Sequence, residues 1–223
     1  MNARLDKIPH DQTLRYLGYH GGAVPDDFQA ELARCETCLL STVKPRIVWK
    51  LFDYRSDGSF AGTDYMPAGR DIHRFLSGCG QVVLMAATLG IEAEALIRRA
   101  QKRDMAEAVI LDALGSAAIE EVCDNFCSDL QKELSPRHLT DRFSPGYGDY
   151  PLTEQSAVFR LLDVSRRIGV SLSESGLMIP QKSVTALIGV SQQPIEKRRS
   201  GCESCALRET CAFRKEGKSC GKI

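Results

Sequence analysis

Hydrophobic and polar positions along the chain change spacing several times, and each change marks an element. Asp11–Leu17 predicts a short helix that ends at Gly18, after which Gly21, Gly22 and Pro25 break the pattern. Asp26 is placed to cap a second helix running to about Leu40, with Phe28, Leu32 and Cys35 at helical spacing. Between Arg46 and Tyr54 the apolar residues are mostly β-branched or aromatic (Ile47, Val48, Trp49, Phe52), which predicts a strand. Ser56–Ser59 is a turn, and Gly69–Leu76 suits a short helix.

Gln81–Thr88 is a nearly unbroken apolar run, the mark of a strand buried on both faces. Two helices follow. Glu92–Arg103 carries Ala95, Leu96 and Ala100 on one face. Asp104–Leu134 carries Val109, Ala113, Ala117, Val122, Phe126 and Leu130, with small residues at Gly115, Ala117 and Ala118 for close packing. Asp141–Pro151 reads as a loop, Thr153–Gly169 as a further helix, and Ser183–Val190 as a last strand. Strands interleaved irregularly with helices predict an α+β fold, a twisted antiparallel sheet with flanking helices. After Gln193 the aliphatic residues nearly vanish. We therefore divide the chain into a main domain, 1–193, and a small Cys-rich C-terminal tail, 194–223.

With 223 residues, 43% of them hydrophobic, the chain can bury a core without disulfide staples. A formal net charge of zero argues against a whole-protein nucleic-acid footprint. No apolar run reaches membrane-spanning length and Met1–Asp11 has no signal core, so a cytoplasmic protein with no membrane partner is expected.

The segment Arg142-Phe143-Ser144-Pro145-Gly146-Tyr147 is, by itself, ordinary turn chemistry. Its setting is more specific. An alanine-rich helix bearing Glu120 precedes it, and Leu161–Val164, Gly169–Ser175, Met178-Ile179-Pro180 and Ser183-Val184 follow in order. This arrangement resembles the reactivation (activation) domain of cobalamin-dependent methionine synthase, most clearly over 104–190. In that family an Arg-x-x-x-Gly-Tyr loop binds S-adenosylmethionine.

The resemblance implies an S-adenosylmethionine site at Glu120, Arg142, Ser144, Pro145, Gly146 and Tyr147. Arg142 can hold the ligand carboxylate through its planar fork. Gly146 allows close backbone approach, and Tyr147 offers an aromatic face. Glu120 suits an amine or ribose hydroxyls, with Glu121 adjacent. Asp53 and Asp64 are the candidates for an acid that the family carries nearer its N-terminus, and the family's later tyrosine has no counterpart here.

The implied function is that of an accessory reactivation protein. It would bind S-adenosylmethionine and support reductive methylation of cob(II)alamin held by a partner. That partner is a corrinoid-binding methionine synthase or another methyltransferase subunit, with an electron-transfer protein as a further candidate. The alternative is a non-catalytic module that binds S-adenosylmethionine or docks on a corrinoid protein, with a structural zinc tail.

Nine cysteines remain to be placed. Cys202, Cys205, Cys211 and Cys220 lie in a charged segment with little core, a pattern that suits tetrahedral thiolate ligation of zinc or an iron–sulfur cluster. The basic residues around them read as a solvated or docking surface rather than a nucleic-acid site. Cys35 and Cys38 read as buried residues in preference to a dithiol pair. Cys123 and Cys127 read as core-facing, and Cys79 is unassigned. His20, His73 and His138 show no metal-ligand spacing.

Overall fold

The computed structural model of the protein describes residues 3–19, 24–195 and Glu209. The four tail cysteines and His20 lie outside the described residues.

Strand β1 (Arg46–Asp53) pairs with β2 (Gln81–Thr88), and β2 with the late strand β6 (Ser183–Ser191). A two-residue strand, β3 (His138–Leu139), extends the sheet, giving the order β1-β2-β6-β3 with every pair antiparallel. The α+β expectation holds. Central β2 is covered on both faces, which is why it reads as one apolar run. Val83, Met85 and Ala87 join one core cluster, Val82, Leu84 and Ala86 the other.

The first cluster lies under the helices α2 (Asp26–Thr42), α4 (Ile91–Gln101) and α5 (Met105–Glu133). Helix α5 is the spine of that layer. Asp104 caps it, its side chain accepting the Ala106 and Glu107 N–H groups. Leu111, Leu114, Val122 and Leu130 are fully buried along it, and truncating one of the leucines to alanine should cost about 2–5 kcal/mol. Helix α1 (His10–Tyr16) packs on α5. The second cluster lies under α3 (Arg70–Phe75), α6 (Gln155–Leu162) and α7 (Val164–Ile168).

Several details differ from the expectations. Pro25, not Asp26, holds the N-cap position of α2, and Asp26 and Asp27 occupy the first turn, where carboxylates complement the helix dipole. On α4 the buried face is Ala93, Leu96, Ile97 and Ala100, while Ala95 is exposed. On α5 Val109 is 52% exposed, and Ile110 and Leu111 point inward in its place. The helix expected over Thr153–Gly169 breaks at Asp163, whose φ of 52° ends α6 and starts α7. A small hairpin, β4 (Ser171–Leu172) with β5 (Met178–Ile179), leads into β6.

Candidate functional site

Because β3 is short, most of β6 has no strand along the edge that faces away from β2. Phe143 fills one position there: its N–H donates to the Leu187 carbonyl at 2.9 Å, and the Leu187 N–H donates back at 2.8 Å. This bridge fixes the backbone next to Arg142. It also seats the Phe143 ring against Phe75 and Tyr147, at centroid separations of 4.9 and 5.9 Å.

Beyond the bridge, toward Ser183, a cavity of about 440 Å³ opens between α5, the 140–147 loop and β6. That volume lies within the roughly 300–1,000 Å³ usual for small-molecule sites. Helix α5 presents Glu120, Asp124 and Cys127, which its turn places on one face. The Arg142 side chain is 19% exposed and bound into this wall. It donates to Glu120 at 2.6 Å, to Asp124 at 2.8 Å and, more weakly, to the Cys127 sulfur at 3.7 Å. Three of the five guanidinium N–H groups are thus taken, and two are left for a ligand. Burial alone would disfavour the charged guanidinium, but its acidic neighbours, the carboxylates of Asp124 and Glu120 among them, outweigh it and hold Arg142 firmly cationic. Burial pushes the Cys127 thiol up, against the opposing pull of Arg142. With Asp141 added, three carboxylates face one guanidinium in the lining, a net negative site.

The far side of the loop is tied down. Gly146 N–H donates to the Tyr150 carbonyl at 2.8 Å. The Tyr150 hydroxyl meets that of Tyr65 at 2.7 Å, and Tyr65 donates to Glu154 at 2.8 Å. The Asp149 carboxylate accepts the N–H groups of Arg70 and Asp71, each at 2.9 Å, at the start of α3. A Cβ at Gly69 would stand 2.6 Å from the Asp149 carbonyl oxygen, so this junction admits only glycine.

Glu120, Arg142, Ser144, Pro145 and Tyr147 therefore share one cavity. Gly146 stands outside its lining, and its φ of 96° turns the loop, a conformation that favours glycine. Glu121 faces Asn125 instead, accepting its amide at 3.3 Å. Asp53 accepts from Gln81 and Asp64 pairs with Arg160, so neither stands in the lining. Cys127 lines the cavity, although its spacing suggested a core position. Asp124, Asp141 and Gln155 also line it and were not singled out in the sequence. Asp124 and Cys127 follow Glu120 at helical spacing, so the sequence carries the signal for their shared face. Tyr16 of α1 adds an aromatic within electrostatic reach, its hydroxyl pKa raised by burial and by Glu120. Cys35 and Cys123 are buried, and burial pushes both thiols up to about 12. Cys79 packs its sulfur against Gly189, and His73 is satisfied by Tyr54 and the Pro67 carbonyl. Among the described residues no group of three metal-ligating side chains is assembled, and no helix is long and apolar enough to cross a membrane.

Together, fold and cavity define an α+β domain with a cavity of small-molecule size at the open edge of its sheet. Residues 76–195 match the family model described as vitamin B12 dependent methionine synthase, activation domain, and the chain belongs to that family. The structure is similar to a solved one titled "Crystal Structure of the MetH Reactivation Domain bound to AdoHcy". The TM-score is 0.59 at 17% identity, covering 95% of this chain and 82% of that one, a likeness of fold. No curated protein matches the sequence.

Proposed function

We propose that the chain binds S-adenosylmethionine in this cavity and supports reactivation of a corrinoid protein by reductive methylation. The observation that carries this reading is the Arg142 guanidinium held in a carboxylate-rich cavity at the loop that resembles the family's ligand loop. The chemistry of the lining fits the ligand. S-adenosylmethionine has two cationic groups and one carboxylate at neutral pH, so it carries net positive charge. The excess of Glu120, Asp124 and Asp141 favours its ammonium and sulfonium. The two remaining Arg142 N–H groups suit its carboxylate. Tyr147, 55% exposed in the cavity lining, supplies an aromatic ring.

In reductive methylation a one-electron donor reduces the cobalt, and the methyl group leaves the sulfonium with S-adenosylhomocysteine as product. The residues of this chain would bind and orient the methyl donor, a positioning contribution that requires no protein nucleophile. The corrinoid would come from a methionine synthase or other methyltransferase subunit. The tail cysteines Cys202, Cys205, Cys211 and Cys220 would bind zinc or an iron–sulfur cluster. Anaerobic purification yielding iron and sulfide would establish the cluster, and stoichiometric zinc the structural alternative.

Calorimetry with S-adenosylmethionine, followed by methylation of a cob(II)alamin-loaded partner under reducing conditions, tests the proposal. Absence of binding overturns it. Binding without methylation of any candidate partner reduces the protein to a docking or binding module.

A further inference from the structure

Two polar side chains that line the cavity each bury an oxygen without a hydrogen-bond partner among the described residues. Gln155, the first residue of α6, is 6% exposed, and Thr185, the third residue of β6, is 2% exposed. Both line the cavity. Neither Gln155 Oε1 nor Thr185 Oγ1 has a hydrogen-bond partner among the described residues. Buried polar atoms are nearly always paired, so two orphans on one cavity wall point to a ligand.

The backbone adds to this. Antiparallel register sets Thr185 opposite Ala86 and Leu187 opposite Leu84. Leu187 turns its N–H and C=O away from β2 to meet Phe143. Residues two apart on a strand direct these groups to the same side, so Thr185 turns its own N–H and C=O toward the same edge. The edge there has no paired strand, since β3 reaches only Val190 and Ser191. The site therefore offers acceptors beside donors: Oε1 and Nε2 of one planar amide, a hydroxyl, and an unladdered peptide edge.

We infer that Gln155 and Thr185 form a nucleobase subsite that reads the edge of adenine. This rests on the S-adenosylmethionine reading above and names the residues that select its base. The N6–N7 edge of adenine presents an amino donor next to a ring-nitrogen acceptor, which a glutamine amide meets with two hydrogen bonds, whereas the same edge of hypoxanthine presents two acceptors. The ammonium, sulfonium and carboxylate belong by charge to the Arg142 wall. The neutral, hydrogen-bonding wall is left for the uncharged base, with Met178 supplying apolar surface for the ring.

The test is calorimetry on the full chain with S-adenosylhomocysteine and with S-inosylhomocysteine, in which a carbonyl oxygen replaces the adenine amine. The wild type should bind the inosyl compound about 10- to 100-fold more weakly, because buried acceptors then face an acceptor. Gln155→Ala should weaken adenosyl binding and shrink that ratio to about threefold or less, the residue of a lost hydrogen bond. Thr185→Val should reduce the ratio and Thr185→Ser, which keeps the hydroxyl, should retain it; this pair decides the matter if Gln155→Ala does not fold. Equal binding of both compounds by the wild type, or an unchanged ratio in Gln155→Ala and Thr185→Val, overturns the base subsite alone. Failure of the wild type to bind either compound overturns the functional reading and the subsite together.

Discussion

Arg142 Nη2 lies 2.6 Å from Glu120 Oε2, joining a residue of the loop to the middle turns of α5. The pair does two things. It shapes one wall of the cavity, and it leaves part of the guanidinium fork open. Arg142→Ala should therefore reduce S-adenosylmethionine binding by about 10- to 100-fold, the loss of charge-assisted hydrogen bonds at a partly buried site. Arg142→Lys keeps the charge but not the fork and should recover only part of the affinity. Glu120→Gln keeps an acceptor for Arg142 while removing a negative charge, so its effect should fall on the cationic sulfonium ligand more than on neutral-sulfur S-adenosylhomocysteine. Calorimetry with both ligands separates these outcomes.

The Tyr65–Tyr150–Glu154 chain gives a directional expectation for stability. Tyr65 donates to Glu154, so the Tyr150 hydroxyl must donate to Tyr65. Tyr150→Phe removes a donor and orphans no proton; it should cost about 0.5–1.5 kcal/mol. Tyr65→Phe leaves the buried Tyr150 hydroxyl without an acceptor and should cost about 1–3 kcal/mol. Denaturant melts of the two variants check the order. Equal or reversed costs would show that the chain of bonds does not anchor the loop as described.

How much of this could be seen in the sequence varies with the kind of contact involved. The β2 run and the capped α5 helix were plain because strand burial and helix capping are local signals. Ala95 and Val109 were placed on the wrong faces because a 3.6-residue period fixes a stripe only to within a neighbour. At the site, Arg142, Tyr147 and Glu120 were found through the family's loop. Gln155 and Thr185 were not, because nothing along the chain says that β6 has an open edge. That property belongs to the sheet order and to the shortness of β3.

Asp149 links the same loop to α3 and gives a pH signature. Its carboxyl is held below the ordinary aspartate range by the N–H groups of Asp71 and Arg70. A depressed folded-state pKa means that the stabilisation is complete above the unfolded value of about 3.9 and is lost as pH falls through the folded value. Asp149→Ala should melt a few degrees below the wild type at neutral pH. The gap should stay constant down to about pH 5 and close below about pH 4. A gap independent of pH would show that the carboxylate does not act through its charge. The same variant should bind S-adenosylmethionine more weakly, since the loop bearing Arg142 and Tyr147 loses its tether.

Cys127 offers a reporter of occupancy that does not depend on activity. It lines the cavity beside Arg142, while Cys35 and Cys123 are fully buried. The thiolate is the reactive form, and burial raises the thiol pKa of all three, so alkylation of the folded protein near pH 7.5 should be slow at each. Cys127 is the one whose sulfur borders the ligand space. Peptide mapping after iodoacetamide treatment should show Cys127 modified faster than Cys35 or Cys123, and S-adenosylmethionine should slow Cys127 specifically. Cys127→Ser should keep ligand binding within a fewfold, because the weak sulfur contact to Arg142 is replaceable by a hydroxyl. Protection of Cys35 or Cys123 in place of Cys127 would mean that the ligand acts through global stabilisation and not by filling the cavity against α5.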